Sequence, residues 1–215
     1  MENKIFIHIA KLGQYQMICD EIFTYIKESD ILNDSKLYLS VVGVGEDVIV
    51  PIEHEVIYQN DNVRVGEFPI LMKIRELSLN TDEECNVLYI HTKGASTPEN
   101  ECINDWRKYM LYFNVTKYKD CVDILKGYET CGVDLRDDPV LHYSGNFWWS
   151  KYSHIRKLPK FEQMKVVISE RHKGEFWVCS VDGKFYSMHD CGINQYERHL
   201  HRYEENNYKN GRMYT

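Results

Sequence analysis

At 215 residues, with 43% hydrophobic and 27% charged side chains, the chain has the size and composition of one globular domain. A net charge of -7 argues against nonspecific nucleic-acid binding, which needs a basic surface. No apolar run is long enough to span a membrane, and the seven cysteines contain no CxxC pair, so neither a disulfide framework nor a zinc ribbon is indicated. With no leader pattern after Met1, the reading is a cytoplasmic chain with free thiols. An aromatic share of 13%, including 16 Tyr and 4 Trp, suits a protein that stacks rings or sugars.

In chain order the pattern alternates. Residues 4–10 form a first apolar strand. Tyr15, Ile18, Ile22 and Tyr25 recur at helical spacing, which predicts a helix over 14–28 with its stripe turned to a sheet. Strands follow at 37–42 and 55–58, then a helix at 68–79 whose Pro69 is tolerated in the first turn. A fourth strand ends at His91, and helical spacing returns at Ile103, Trp106, Met110 and Phe113 and again at Tyr118, Cys121, Val122 and Leu125. This order predicts an α/β fold, with a mostly parallel, Rossmann-like sheet flanked by helices. From Val133 onward short strands and turns give a mixed C-terminal part. The whole reads as a single domain, with one half at 1–130, a second at 131–203 and a frayed or surface-draped polar tail at 204–215.

Two segments carry chemistry. Val87, Leu88, Tyr89 and Ile90 form a buried-type strand that stops abruptly at His91, Thr92, Lys93 and Gly94. Ligands bind at the carboxyl ends of strands in open α/β sheets, and an imidazole, a hydroxyl and a fixed positive charge suit a phosphate or diphosphate. The bland alternative is a glycine turn leading out to solvent. The second segment is His142-Tyr143-Ser144-Gly145-Asn146-Phe147-Trp148-Trp149-Ser150-Lys151. Adjacent tryptophans on a strand point to opposite faces, one to the core and one to a cleft. Ser144, Gly145, Asn146 and one of Trp148 and Trp149 therefore read as a ligand site, while Phe147 and the other indole read as core.

The motifs Tyr89-Ile90-His91-Thr92-Lys93-Gly94, Asn104-Asp105-Trp106-Arg107 and His142-Tyr143-Ser144-Gly145-Asn146-Phe147-Trp148-Trp149 resemble glycosyltransferase-like proteins of large DNA viruses and bacteria, which are similar to nucleotide-sugar transferases of the GT-A fold. The resemblance covers roughly residues 4–200. It implies a GT-A-like sheet, a UDP- or GDP-type sugar donor bound by the half at 1–130, and a carbohydrate or glycan acceptor bound by the half at 131–203, against Ser144, Gly145, Asn146 and the tryptophans. It also exposes a departure. Metal-dependent GT-A enzymes usually end this strand in Asp-x-Asp, where this chain has His91-Thr92-Lys93.

Lys93 is expected to replace part of a metal's charge, with His91 as a hydrogen-bond donor. The alternative is a manganese or magnesium ion held by His91, His189 and Asp190; the metal-independent arrangement is preferred. The resemblance further implies that His8, Ala10 and Lys11 line a base pocket. Asn60 and Asp61 are candidates for the base or ribose, and Arg75 for the phosphates, although these residues also read as turn formers and a solvated helical charge. For inversion a carboxylate must deprotonate the acceptor. Glu175, beside Gly174 and two aromatics, is the expected base, with Glu170 instead paired to Arg171 or Lys173. The other readings are a noncatalytic carbohydrate-binding module on a decayed scaffold and a phosphoryl- or nucleotidyl-processing enzyme. At 25.6 kDa the chain is short for a transferase, so a further domain or a protein partner is an open expectation.

Overall fold

The computed structural model describes residues 2–209. Its elements are β1 (Glu2–Ala10), α1 (Tyr15–Glu28), β2 (Ser35–Val42), β3 (Glu55–Asn60), α2 (Phe68–Leu79), β4 (Cys85–His91), α3 (Glu101–Leu111), α4 (Tyr118–Ile124), β5 (Thr130–Gly132), β6 (Leu135–Arg136), β7 (His142–Tyr143), β8 (Trp148–Lys151), α5 (Tyr152–Ile155), α6 (Lys173–Phe176), β9 (Phe185–Ser187) and α7 (Asn206–Lys209). The expected α/β class is the observed one. A seven-stranded sheet runs in the order β3-β2-β1-β4-β8-β5-β9, and β6 pairs with β7 apart from it. The strands β3, β2, β1 and β4 are mutually parallel. β8 lies antiparallel between β4 and β5, which makes the C-terminal part mixed.

The alternation of side chains along each strand builds two cores. Ile5, Ile7 and Ile9 of β1, with Leu88 and Ile90 of β4, face one layer, where α1 buries Ile18, Cys19, Ile22, Phe23 and Ile26. Phe6, Val87 and Tyr89 face the other layer, where α2 buries Ile70, Leu71 and Ile74. The crossovers after β1 and β3 thus lie on opposite faces. β1 and β4 are neighbours at the point where strand order reverses, they stay paired up to His8 and His91, and a crevice lies over their carboxyl ends.

The two tryptophans follow the same alternation, but neither reaches a cleft. Trp148 packs in the layer under α2 and Trp149 in the layer under α1, both at 0% exposure. Each indole N–H also has a buried acceptor. Trp148 Nε1 donates to Asn146 Oδ1 at 3.0 Å, and Trp149 Nε1 donates to the Asn114 carbonyl at 2.8 Å. That carbonyl lies in a π-helical turn, Tyr112–Thr116, that continues α3. A fully buried large apolar side chain contributes roughly 1.5–3 kcal/mol by area, so a mixed sheet with two covered faces keeps both rings inside.

The end of the chain is docked as far as it is described. Tyr208 is buried and packs against Tyr112 and Phe113, and Glu205 accepts a hydrogen bond from Tyr25 at 3.3 Å. Arg202 pairs with Glu101 and Asp105. Residues 204–209 are therefore draped over the surface, the second of the two expected arrangements, and the remainder of the expected tail, 210–215, lies outside the described residues. Among the described residues no helix is long and apolar enough to cross a membrane.

Candidate active site at the carboxyl edge of the sheet

A cleft of about 720 Å³ opens over the carboxyl ends of β1 and β4. His8 and Ala10 enter it from β1, residues 91–97 from the turn after β4, and Trp106 from α3. Residues 63–68 before and at the start of α2, Gly145 and Asn146, and Glu170, Arg171 and Glu175 complete the wall. The sequence-based site is thus partly assembled: His8, Ala10, His91, Thr92, Lys93, Gly94, Gly145, Asn146 and Glu175 meet in one cavity.

The turn after β4 is held rigidly. Thr92 is buried, its N–H donates to the His8 carbonyl at 3.0 Å, and its Oγ1 accepts from the Ala10 N–H at 3.1 Å. The hydroxyl oxygen therefore clamps two strands together, and its O–H remains a donor at the cleft wall. Gly94 has φ +84°, and a Cβ there would stand 2.7 Å from Ile103 Cγ2, so only glycine fits between turn and helix. Arg107, 1% exposed, holds the turn from below. It donates to both carboxylate oxygens of Glu21, at 2.8 and 3.2 Å, and to the Lys93 carbonyl at 3.0 Å. It fixes the Lys93 backbone and does not line the cleft.

Lys93 projects over the Trp106 ring, with its ammonium 4.0 Å from the centroid. Enclosure in the cleft pulls its pKa below the ordinary lysine value, against the opposing influence of Glu175 and Glu67. His91 is held neutral, its pKa pushed down to about 3 chiefly by burial and then by Lys93. Its Nε2 lies 3.1 Å from the Gly145 carbonyl, which assigns the proton to Nε2 and leaves Nδ1 as the acceptor. His8 is likewise kept neutral by burial, its pKa lowered to about 4, and its Nδ1 approaches Ser40 Oγ at 3.4 Å.

Glu67, at the N-terminus of α2, is the residue that the sequence reading missed. Its Oε2 accepts hydrogen bonds from the Tyr89 hydroxyl at 2.5 Å and from Asn146 Nδ2 at 2.8 Å. Burial pushes its pKa up from an ordinary 4.5 to about 7, with the neighbouring Glu175 carboxylate adding to the rise and both hydrogen bonds opposing it. Gly174 makes room for it, because a Cβ there would lie 2.7 Å from Glu67 Oε1. A lone Glu before Phe-Pro gives no signal of this in sequence. The tether from Asn146 links two distant segments, so only the fold shows the pairing.

Several expected residues stand elsewhere. Ser144 is buried and outside the cleft wall, its N–H donating to the Asp134 carbonyl at 3.1 Å. Asn146 does reach the cleft, but its amide serves Glu67 and Trp148. Lys11 Nζ donates to the Gly45 carbonyl at 3.3 Å, away from the cleft wall. Asn60 closes a local turn through the Asn62 N–H at 2.8 Å, and Asp61 is exposed beside it; residues 63–68 line the cleft instead. Arg75 Nε donates to the Leu158 carbonyl at 2.7 Å and does not line the cleft. Glu170 pairs with Lys173 at 2.9 Å, one of the two partners expected for it.

The residues expected for a metal do not assemble. His189 Nδ1 faces the Tyr109 hydroxyl at 3.1 Å, and both Asp190 oxygens are taken by Arg136 at 2.6 and 2.7 Å. Neither lines the cleft in which His91 lies. Among the described residues the group with three suitable ligands close together is Asp134, Asp190 and Cys191, and Arg136 already spans its two carboxylates.

The sequence matches the family described as Domain of unknown function (DUF8361) over residues 5–205, and the chain belongs to that family. No curated protein matches it. A crystal structure from Desulfovibrio desulfuricans G20, provisionally named a nucleotide-diphospho-sugar transferase, is similar at a TM-score of 0.44 and 8% identity. That match covers 88% of this chain and 81% of the other.

Proposed function

For this member of the family we propose transfer of a sugar from a nucleoside-diphosphate donor to a hydroxyl acceptor. The observation that carries the reading is one cleft, at the strand-order reversal, that holds an enclosed lysine and two carboxylates. Such a crevice is where open α/β sheets bind nucleotides. Lys93 neutralises the charge that develops on the departing diphosphate. Its backbone is fixed by Arg107, so little reorganisation is needed when that charge appears. Arg64 and Arg171, both in the cleft lining, add positive charge for the phosphates or the acceptor. The remaining need is a proton acceptor, and Glu67 and Glu175 are at hand.

No step in this scheme uses a metal ion, since the residues expected to hold one are apart. The carbohydrate-binding reading loses its main support with the burial of both tryptophans, because a sugar-stacking platform must be open. The test is incubation with UDP-, GDP-, CDP- and dTDP-glucose, with p-nitrophenyl glycosides as acceptors. Formation of a nucleoside diphosphate and a lengthened glycoside is expected with one donor. Release of a nucleoside monophosphate or inorganic phosphate would assign the cleft to phosphoryl chemistry instead. No turnover of any donor would contradict the proposal.

A further inference from the structure

We propose that Glu67, and not Glu175, takes the proton from the acceptor hydroxyl, through the carboxylate oxygen Oε1 that no donor occupies among the described residues. The inference rests on the transfer reading above. A base must be held within hydrogen-bond reach of the proton it removes, and the holding must come from outside the substrate. Glu67 meets that condition. Its Oε2 is fixed by donors from two separate elements, the Tyr89 hydroxyl of β4 and the Asn146 amide of the turn before β8. Its Oε1 has no donor among the described residues and lies against Gly174, where a Cβ would stand 2.7 Å from it. Glu175 shares the cleft but has no comparable tether among the described residues. Tyr89 is fully buried and its hydroxyl is pushed well above the ordinary tyrosine range, chiefly by burial, so it remains a donor throughout.

The step balances as follows. The acceptor O–H bond breaks and its proton passes to Oε1. The oxygen lone pair forms the new bond to the anomeric carbon. The bond from that carbon to the diphosphate oxygen breaks, and its electron pair leaves with the nucleoside diphosphate beside Lys93. Glu67 ends as a neutral carboxylic acid and returns its proton to solvent. The charged and titratable groups facing Glu67 are Tyr89 from β4, Glu175 from α6 and Lys93 from the turn after β4. A working pH near neutrality thus follows from burial opposed by two hydrogen bonds, with Glu175 resisting ionisation and Lys93 favouring it.

The experiment compares wild type, Glu67→Gln, Glu67→Asp and Glu175→Gln, using whichever nucleoside-diphosphate glucose wild type consumes, with donor affinity measured separately by calorimetry. Glu67→Gln is expected to lower kcat by about 10²–10⁴-fold, the usual worth of a general base, with donor Kd within about twofold of wild type. The acidic limb of the kcat/KM pH profile, near pH 7 in wild type, disappears in Glu67→Gln and persists in Glu175→Gln. Glu67→Asp keeps the limb but turns over more slowly, because the shorter arm withdraws the oxygen; unchanged kcat in that variant overturns the inference even where Glu67→Gln fails to fold. Wild-type kcat in Glu67→Gln, or an equal loss of donor affinity and rate, also overturns it and leaves the transfer reading standing. A wild type that binds donors and consumes none defeats the transfer reading and this inference with it.

Discussion

Replacing Glu67 with Gln should make the protein more stable above neutral pH, and the gain should itself depend on pH. In the folded state the carboxyl pKa is raised to about 7 from an ordinary 4.5, mainly by burial. A raised acid pKa means that the folded state holds the proton longer than the unfolded chain does. Stability is therefore fully present below pH 4.5 and is lost as the pH rises through 7. At 1.36 kcal/mol per unit the whole loss is about 3 kcal/mol, of which about 2 kcal/mol falls between pH 5 and pH 8. Glutamine keeps an acceptor for Tyr89 and Asn146, and its NH₂ can donate to Glu175, so the site stays satisfied without a charge. Urea unfolding of both proteins at pH 5, 6, 7 and 8 reads the difference as midpoint at constant slope. The variant should gain on wild type by about 2 kcal/mol across that range, with most of the gain already in place by pH 7. Parallel pH profiles for the two proteins would refute the argument that burial holds this carboxyl protonated.

Three further outcomes follow from the same geometry. Gly145→Ala should destabilise by about 3 kcal/mol in urea unfolding, because φ is +92° and the new Cβ would stand 2.5 Å from Met110 Sδ; a loss under 1 kcal/mol would mean that the turn yields. Arg107→Met should cost about 2–3 kcal/mol and weaken nucleoside-diphosphate binding, since it strands Glu21, 24% exposed at its side chain, and frees the Lys93 carbonyl. A binding isotherm unchanged from wild type would show that Lys93 needs no such anchor. Chelation with EDTA should leave donor turnover within about twofold, given the salt-bridged Asp190 and the distant His189; loss on chelation that one added divalent ion restores would contradict the metal-free scheme.

What was legible in the sequence was the part governed by local periodicity. The helix at 68–79 and the strand ending at His91 are observed as read, because an amphipathic stripe and an abrupt apolar-to-polar edge are both short-range signals. The cleft floor from β1 and β4 followed from the same edge. Errors arose where tertiary partners decide. Adjacent strand residues do point to opposite faces, as expected for Trp148 and Trp149, but whether a face is covered depends on helices far along the chain. Arg75 looked free until the Leu158 carbonyl, 83 residues away, was placed beside it. Glu67 was missed for the converse reason. Nothing within its own segment distinguishes it, and its tethers come from residues 89 and 146.

The central claim is that the cleft binds a nucleoside diphosphate with Lys93 at its phosphates, and calorimetric titration of UDP, GDP, CDP and dTDP into wild type and Lys93→Ala tests it most directly. One diphosphate should bind wild type, and the variant should lose at least about tenfold in affinity, equivalent to roughly 1.4 kcal/mol for a charge-assisted phosphate contact. Equal affinity in both proteins, or no binding of any of the four to wild type, would contradict the account.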